Sequence, residues 1–538
     1  MRRIAYLFLV AISPAFARVE TGALARPSRA KLGTCLRLLQ PSIRRGLLAL
    51  ALLSSVIATM VATAPAETRP HYGGTLRIML QSTPNTLDLP ANSSSAGYWD
   101  AARALSLVGD TLVLLDPQDR PQPSLAIAWQ GDTTDRHWQF TLRRGVKFHD
   151  GSTASPAAVA QILAELHSAW NVRASADALL IDTEKPAPAL LAELALPRNL
   201  LLKRPIGDDA NRIPIGTGPF RVAEWQPGKL LKLAANEESW AGRPFVNAVE
   251  IEFGKSLRDQ AIALELDKTD WIETAPQATT GLQRHIASSP SPSSYSSSSS
   301  PLPVELLALV FTANSKMQDP RLRQALALAI DRKPIQSVLL KGAGEPAASI
   351  LPNWMTGYTA VFSTQSNPEQ ARAVLAQSRP ASPGTDYSLS YDPADPQAQL
   401  IAERIALDAR EVGITLQISL SGAEDIRLMR AVLPSPDPAT SLAEAARQLG
   451  LQPPSNPAAG GNSLQDLYQA ERSLLTGPAV IPLLHLPLAS AASARVRGWE
   501  PSRLGEFCRT GLSLADVWLA DVSPAASRPE SSPQAARQ

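Results

Sequence analysis

His149 and Asp150 stand side by side before a glycine and are the first residues whose types could do chemistry. A neighbouring imidazole and carboxylate form part of a catalytic site when a nucleophile or a metal ion completes the set. No nucleophile elbow, zinc-binding helix motif or complete phosphate loop accompanies this pair. The six histidines also lack close metal-ligand spacing; they are His71, His137, His149, His167, His285 and His485. The sequence therefore predicts a structural corner at this pair, and a protein that is not an enzyme and uses no cofactor or metal.

The stretch FTLRRGVKFHDGS around this pair has the period of two short, half-buried strands joined by a tight turn at Gly145. At the second turn, Asp150 is expected to accept backbone hydrogen bonds, while Gly151 supplies a positive φ. A similar structural role is expected for Gly216 and Gly218 in GTGPF, which lack the rest of any nucleotide-binding motif and precede the predicted strand FRVAEW.

The composition favours a large globular protein. The chain has 538 residues, of which 44% are hydrophobic and 19% charged, so two or more domains can bury substantial cores. Its formal net charge of +2 gives no reason to expect a nucleic acid or an acidic membrane surface as partner. Cys35 and Cys508 lie at opposite ends of the chain, so we expect no structural disulfide.

Residues 1–66 carry two segments with the plan of an export signal. The first ends at Ala17, and the second has a basic start, a longer apolar run and Ala64-Pro65-Ala66 at its end. We expect the second to direct export, with cleavage after about residue 66 and a periplasmic mature protein. The alternative is one N-terminal membrane anchor, since the apolar run from Leu47 is near the lower limit for spanning a bilayer. Cys35 precedes this run, which argues against lipid modification after cleavage.

From His71 onward, predicted short strands alternate with helices, which is typical of α/β lobes with parallel or mixed sheets. GGTLRIML reads as the opening strand, and a polar, turn-rich loop containing Tyr98 and Trp99 follows it. Ser155 and Pro156 suit the start of a helix whose apolar face extends to Trp170. Further predicted elements are an amphipathic helix pair around 318–340 and a helix that ends at Gly413 before a strand.

Three blocks of sequence point to one family; they are SLAIAWQGDTTDRHWQFTLRRGVKFHDGS, IPIGTGPFRVAEWQPGKLLKLAANEESWAGRPFVNAVEIEF and LALVFTANSKMQDPRLRQALALAIDRKPIQSVLLKGAGEPAASILPNWMTGY. In order and spacing they resemble the extracytoplasmic solute-binding proteins of the peptide, dipeptide and nickel class of ABC importers. The resemblance runs from about Gly73 to Trp518. It implies a two-lobed α/β clamp, with an extra subdomain inserted in the first lobe, that closes on a solute and delivers it to an ABC permease in the inner membrane.

The resemblance and two low-complexity stretches predict the domain limits. Residues 67–303 would form the first lobe, with the inserted subdomain at about 105–205, and the Ser-rich stretch 288–303 would be a flexible connection. Residues 304–490 would form the second lobe, with a second crossing near Pro487, and 491–522 would return to the first. The last residues, 523–538, are expected to be a disordered tail.

Peptide-binding members usually have Gly-Trp, then an aspartate that receives the peptide amino group, then Asp-Pro or Glu-Pro. In RAVLPSPDPATSL, Asp437-Pro438 matches the last pair, but Arg430-Ala431 replaces Gly-Trp and Pro434 replaces the amine-receiving aspartate. A buried ammonium without a counter-charge is unfavourable, so the usual seat for a free peptide N-terminus is missing. The sequence between Leu442 and Leu467 also looks shorter than in relatives.

Seven residues are the candidates for ligand contact. Four aromatic residues offer flat apolar surface with a polar edge, and the others offer an amide, a guanidinium and a carboxylate. They are Tyr98, Trp99, Trp354, Tyr358, Asn314, Arg430 and Asp437. For the aromatic residues the alternative is packing in the core or on the surface, and for Arg430 it is a solvated charge at a helix end.

Two functions follow from the sequence. The first is a monomeric receptor for a peptide-like or other small solute of an importer. The second is a degenerate member of the family that acts as an exported interaction or scaffold protein without transport function, which the missing carboxylate and the shorter second lobe would favour.

Overall fold

The computed structural model describes residues 70–520 apart from 90–97, 117–119, 204–211, 275–301, 358–362, 379–385, 394, 396, 421–423, 455–463, 477–478 and 500–515. The predicted export signal, most of the Ser-rich stretch, the predicted tail and Tyr358 therefore lie outside the described residues. Within the described part, no helix is long and apolar enough to cross a membrane.

Sheet I has six strands in the order β18-β11-β1-β10-β9-β8. The opening strand β1 is parallel to both of its neighbours, and the other pairs are antiparallel. Its strands are β1 (Thr75–Met79), β8 (Phe220–Gln226), β9 (Leu230–Ala235), β10 (Ala248–Glu252), β11 (Trp271–Glu273) and β18 (Ser490–Ala492). The core of this lobe, the first lobe, packs on sheet I and includes Leu76, Ile78 and Phe220.

Sheet II, the sheet of the second lobe, also has six strands, in the order β13-β17-β12-β16-β14-β15. Its strands are β12 (Pro303–Phe311), β13 (Glu345–Pro346), β14 (Tyr387–Ser390), β15 (Leu416–Ile418), β16 (Ile426–Val432) and β17 (Val480–Pro487). Leu307 and Leu309 of β12 enter one core while Leu306 and Ala308 enter another, on the other face. Burial of both faces explains the unbroken apolar run of this strand. The two mixed sheets confirm the predicted α/β class.

The chain between β1 and β8 forms smaller sheets with a core of their own. Four antiparallel strands in the order β4-β5-β7-β6 are β4 (Ala126–Gly131), β5 (His137–Leu142), β6 (Trp170–Ser175) and β7 (Ala178–Thr183). Two short pairs of strands complete the set, with β2 (Val113–Leu115) beside β3 (Pro121–Pro123) and, later in the chain, β19 (Val496–Arg497) beside β20 (Trp518–Leu519). Trp170 begins β6, so its predicted place on the preceding helix face is wrong.

The helices are α1 (Tyr98–Leu105), α2 (Pro156–Leu166), α3 (Leu190–Leu194), α4 (Leu257–Glu265), α5 (Pro320–Ala329), α6 (Arg332–Pro334), α7 (Asn353–Thr356), α8 (Pro368–Leu375), α9 (Ala398–Glu411), α10 (Pro438–Gln448) and α11 (Leu464–Leu475). A 3₁₀ turn spans Pro197–Asn199 and a π-helical turn spans Ile335–Leu339. As predicted, Ser155 caps α2 and accepts from the Ala158 amide. Gly413, with φ +94°, follows α9, which confirms the predicted stop.

The predicted hairpin within Phe140–Phe148 is wrong, because the two apolar runs do not pair with each other. The first run belongs to β5, which pairs with β4 and β7. The second run folds back on 152–154 through the bridge between Lys147 and Thr153. Here Asp150 Oδ1 accepts from the Ser152 amide at 2.9 Å, and Gly151 has φ +81°. The turn chemistry predicted for these two residues is therefore confirmed.

His149 uses both ring nitrogens to hold the GTG segment. Its Nε2 donates to the Gly218 carbonyl at 3.0 Å, and the Gly216 amide approaches its Nδ1 at 3.4 Å. Burial lowers the pKa of His149, which suits a neutral imidazole that donates with one nitrogen and accepts with the other. A Cβ on Gly216 would lie 2.0 Å from the Val108 carbonyl oxygen, so close backbone approach explains this glycine. The His-Asp pair is thus part of a structural corner.

Candidate functional site

One edge of sheet II holds two of the seven predicted ligand residues, Arg430 and Trp354. Strand β12 begins there, and the antiparallel strands β16 and β17 end there, since Glu305 pairs with Val432 and Pro303 with Pro487. The loop after β14 emerges at the same side, because β14 is parallel to β16. We call this the crossover edge. In open α/β sheets, loops at the carboxyl ends of strands are the usual ligand contacts.

Arg430 lies at the crossover edge on a strand, so the alternative of a helix-end charge is wrong. Its Nη1 donates to Glu305 Oε2 at 2.6 Å and its Nε to Asp395 Oδ2 at 2.8 Å. Burial disfavours the charge, but these two carboxylates hold the pKa of Arg430 above its ordinary value. The guanidinium is therefore engaged by carboxylates of the protein itself.

Trp354 lies on α7 and also reaches the crossover edge. Its indole Nε1 donates to the Pro303 carbonyl at 2.9 Å, and its ring packs against Val304, as Leu302 and Leu488 also do. The indole thus contacts the start of β12 at this edge. Asn314 lies elsewhere, exposed in the turn after β12.

Asp437 caps α10 and does not present a free carboxylate. Its Oδ2 accepts from the Thr440 amide at 2.7 Å, which satisfies one of the unpaired donors of the first helical turn. The preceding loop is held by Ser435, whose Oγ accepts from the Asp437 amide at 3.1 Å. Pro434 in this loop is buried. Pro434 and Ser435 have no carboxylate, and the carboxylate of Asp437 caps the helix. These three residues therefore do not replace the usual amine-receiving aspartate.

Trp99 connects the two lobes. It lies on α1 of the first lobe, and its Nε1 donates to Gln448 Oε1 of the second lobe at 2.9 Å. The same Gln448 side chain accepts from the Val432 amide at 2.8 Å and donates to the Val432 carbonyl at 2.7 Å. The indole of one lobe is thereby joined to the end of β16 in the other. The prediction of a loop at Tyr98 and Trp99 is wrong, since both residues begin α1, and Tyr98 is buried with its ring edge-on to Trp99 at 5.2 Å.

A second interlobe contact is a buried network of charges. Arg198 of the first lobe bonds Glu193 through its Nε at 2.8 Å and bonds Glu444 of α10 through its Nη1. Arg447 donates to the same Glu444 oxygen, Oε2, at 2.9 Å. Burial disfavours the guanidinium, yet the two carboxylates raise the pKa of Arg198. Arg198 likewise lowers the pKa of Glu193, although burial acts in the opposite direction.

The sequence reasoning missed Arg198, Glu444 and Gln448. One signal for the last two was available, because they are four residues apart on a helix and flanked by Leu442, Ala445 and other buried apolar residues. Polar side chains at such a spacing on an apolar face call for partners from another element. Arg198 carried no comparable signal in its local sequence.

The arrangement suits recognition rather than catalysis. It places aromatic rings, amides and paired charges between two lobes, where closure would remove them from water. Among the described residues, no group of three or more His, Cys, Asp or Glu side chains is placed to hold a metal ion.

The comparisons with known proteins agree with this geometry. The model of the bacterial extracellular solute-binding proteins, family 5 middle region, matches residues 120–427, more than half of the chain. The chain is 24% identical over 418 residues to di/tripeptide-binding protein 2 of Pseudomonas aeruginosa, covering 68% of this chain and 75% of that protein. It is 26% identical over 354 residues to the nickel-binding periplasmic protein of Escherichia coli, covering 60% and 67% respectively.

Solved structures share the fold. Staphylococcus aureus NikA in complex with Ni(L-His)2 matches with a TM-score of 0.69 at 17% identity, covering 83% of this chain and all of that one. Bacillus subtilis AppA in complex with a nonapeptide matches with a TM-score of 0.65 at 16% identity, covering 84% and 100%. These neighbours confirm the two-lobed binding-protein architecture, and the relatives are solute-binding proteins, not enzymes. The chain belongs to the bacterial extracellular solute-binding proteins of family 5.

Proposed function

We propose that the protein is the extracytoplasmic receptor of an ABC importer, and that it binds a peptide-like or other small solute between its lobes for delivery to a permease in the inner membrane. The observation that carries this proposal is the pair of interlobe contacts, Trp99 with Gln448 and Arg198 with Glu444. They bring polar and aromatic side chains of both lobes to one buried place, which is where a closing clamp meets its ligand.

The proposed lobes follow the limits predicted from the sequence. Residues 67–303 and 491–522 make the first lobe, with the inserted subdomain at about 105–205, and residues 304–490 make the second. Sheet I, which includes β18 near the C-terminus, and sheet II, which begins with β12, support this division. Limited proteolysis would test it, because cleavage is expected first in the Ser-rich connection at 288–303.

The charged side chains at and near the crossover edge already have partners within the protein, which favours a ligand other than an ordinary dipeptide. Pro434 has no carboxylate, Asp437 caps α10, and Arg430 is occupied by Glu305 and Asp395. The relatives include a di/tripeptide-binding protein and a nickel-binding protein, so solutes of both classes belong in the first screen.

The receptor is proposed to act as a monomer in the periplasm after removal of residues 1–66. N-terminal sequencing of exported protein tests the cleavage site. Retention of the apolar run from Leu47 would instead support the membrane-anchored alternative.

A thermal-shift screen tests the receptor function. Peptides, amino acids and nickel with histidine are added to purified protein, and extracts of denatured protein are examined for a co-purified solute. A bound solute raises the melting temperature in proportion to the logarithm of its concentration at high occupancy. We do not favour the scaffold alternative, but it would replace the proposal if no solute shifted the melting temperature and no solute co-purified.

A further inference from the structure

The Glu444 carboxylate has one engaged oxygen and one unengaged oxygen. Oε2 accepts from Arg198 across the lobes and from Arg447 on the same helix. Oε1 is buried and, over the described part of the chain, accepts no hydrogen bond, and the residue as a whole is only 1% exposed. A buried carboxylate oxygen without a donor is unfavourable, so such an atom calls for an explanation.

The position of Glu444 ties this oxygen to the interlobe site. Glu444 lies on α10, the helix that follows the loop of Pro434, and Arg198 covers it from the first lobe. Its neighbour one turn along the helix, Gln448, receives the Trp99 indole. Separation of the lobes would break both contacts and expose Oε1 on the face where a solute enters.

The charges around Glu444 restrict the kind of donor. Glu193 and Glu444 balance Arg198 and Arg447, while burial keeps Tyr98 and His167 uncharged near neutral pH. An ammonium group on Oε1 would be a third cation around a carboxylate that already serves two guanidiniums. An uncharged donor would satisfy Oε1 and leave the buried network neutral.

We infer that Glu444 Oε1 accepts a hydrogen bond from an uncharged N–H or O–H group of the solute, such as the amide of an N-acylated peptide. This inference rests on the proposed receptor function and defines the ligand class for the same site. The carboxylate that contacts the ligand would then lie on α10 and not at position 434.

Isothermal titration calorimetry with Ala-Ala and N-acetyl-Ala-Ala tests the inference. The wild-type protein is expected to bind the acetylated peptide at least about tenfold more tightly, since its blocked N-terminus presents an uncharged N–H where Ala-Ala presents an ammonium group. Glu444→Gln is expected to weaken that binding by about tenfold or more, because Gln has a single acceptor oxygen, the one that Arg198 and Arg447 require, and its NH2 group would then face the donor of the solute. The matched control is Glu403→Gln, on the exposed face of α9, which should bind as the wild type does.

Equal or tighter binding of Ala-Ala by the wild type would overturn the inference. If Glu444→Gln does not fold, the comparison of the two peptides on the wild-type protein is sufficient to decide. The inference also fails if neither peptide binds while another solute of the thermal-shift screen binds wild type and Glu444→Gln equally; the receptor function then stands. Failure of every solute in that screen would instead remove the receptor function itself.

Discussion

At the scale of single residues, Asp437 shows how local backbone geometry decides what a carboxylate does. It follows a turn and precedes Pro438, so its side chain is set to accept from the Thr440 amide. Asp437→Ala is expected to lower the free energy of unfolding by about 0.5–2 kcal/mol, while Asp437→Asn, which can still cap the helix, should cost little. Urea unfolding measures both variants. A strong loss of solute affinity in Asp437→Asn with unchanged stability would show that the carboxylate meets the ligand.

Pro434 leads to a prediction about ordinary dipeptides. Without an aspartate at this position, a free peptide N-terminus loses a buried charge-assisted hydrogen bond, worth roughly 2–5 kcal/mol. Calorimetry with dipeptides that have free N-termini should therefore show no binding tighter than about 10 μM. Sub-micromolar binding would mean that another carboxylate receives the amine, and the cap made by Asp437 would make Glu444 the first residue to examine.

His485 is a buried histidine whose protonation should weaken the second lobe. It is 3% exposed and its Nε2 donates to the Ile350 carbonyl at 3.0 Å. Burial lowers its pKa to about 4, below the value of about 6.5 for the unfolded chain. The unfolded chain therefore takes up the proton first, so stability that is complete above about pH 6.5 falls as the pH drops toward 4, by up to ~3 kcal/mol.

The variant His485→Gln isolates this effect, because it removes the titrating group. The stability difference between wild type and variant, measured by urea unfolding, should shrink between pH 7 and pH 4.5. A difference that stays constant with pH would contradict the depressed pKa.

At the scale of elements, Gly216 fixes the approach of two backbone segments. Its missing side chain lets the GTG segment lie against Val108, where an added Cβ would overlap the carbonyl. Gly216→Ala is expected to lower the free energy of unfolding by about 1–3 kcal/mol, and more than Gly145→Ala, which has a positive φ but open space around it. Equal losses in the two variants would show that the segment can shift to accommodate the methyl group.

Elements with a strong local pattern were predictable from the sequence. The cap at Ser155 and the stop at Gly413 are local signals, and the structure confirms both. The hairpin prediction at 140–148 failed because alternation shows only that a segment is extended, whereas the pairing partner is chosen by burial against distant strands. The polar and small residues before Tyr98 and Trp99 predict a loop, yet the two residues begin a helix, and Tyr98 packs in the core of sheet I.

At the scale of the whole molecule, the site depends on contacts that local sequence does not reveal. Arg198 and Glu444 are 246 positions apart, and Trp99 and Gln448 are 349 apart. The sequence singled out Trp99, whose indole is amphipathic, but its partner is fixed only by the packing of two lobes. The family resemblance predicted the two lobes, whereas the charge network of Arg198 and Glu444 was visible only in the structure.

Small-angle X-ray scattering tests whether the two lobes close on a solute. The solute that gives the largest rise in melting temperature is titrated into purified protein while the radius of gyration is recorded. A receptor clamp should become more compact as the site fills, with the same concentration dependence as the thermal shift. A solute that binds with saturation in calorimetry but leaves the radius of gyration unchanged would contradict closure of the lobes.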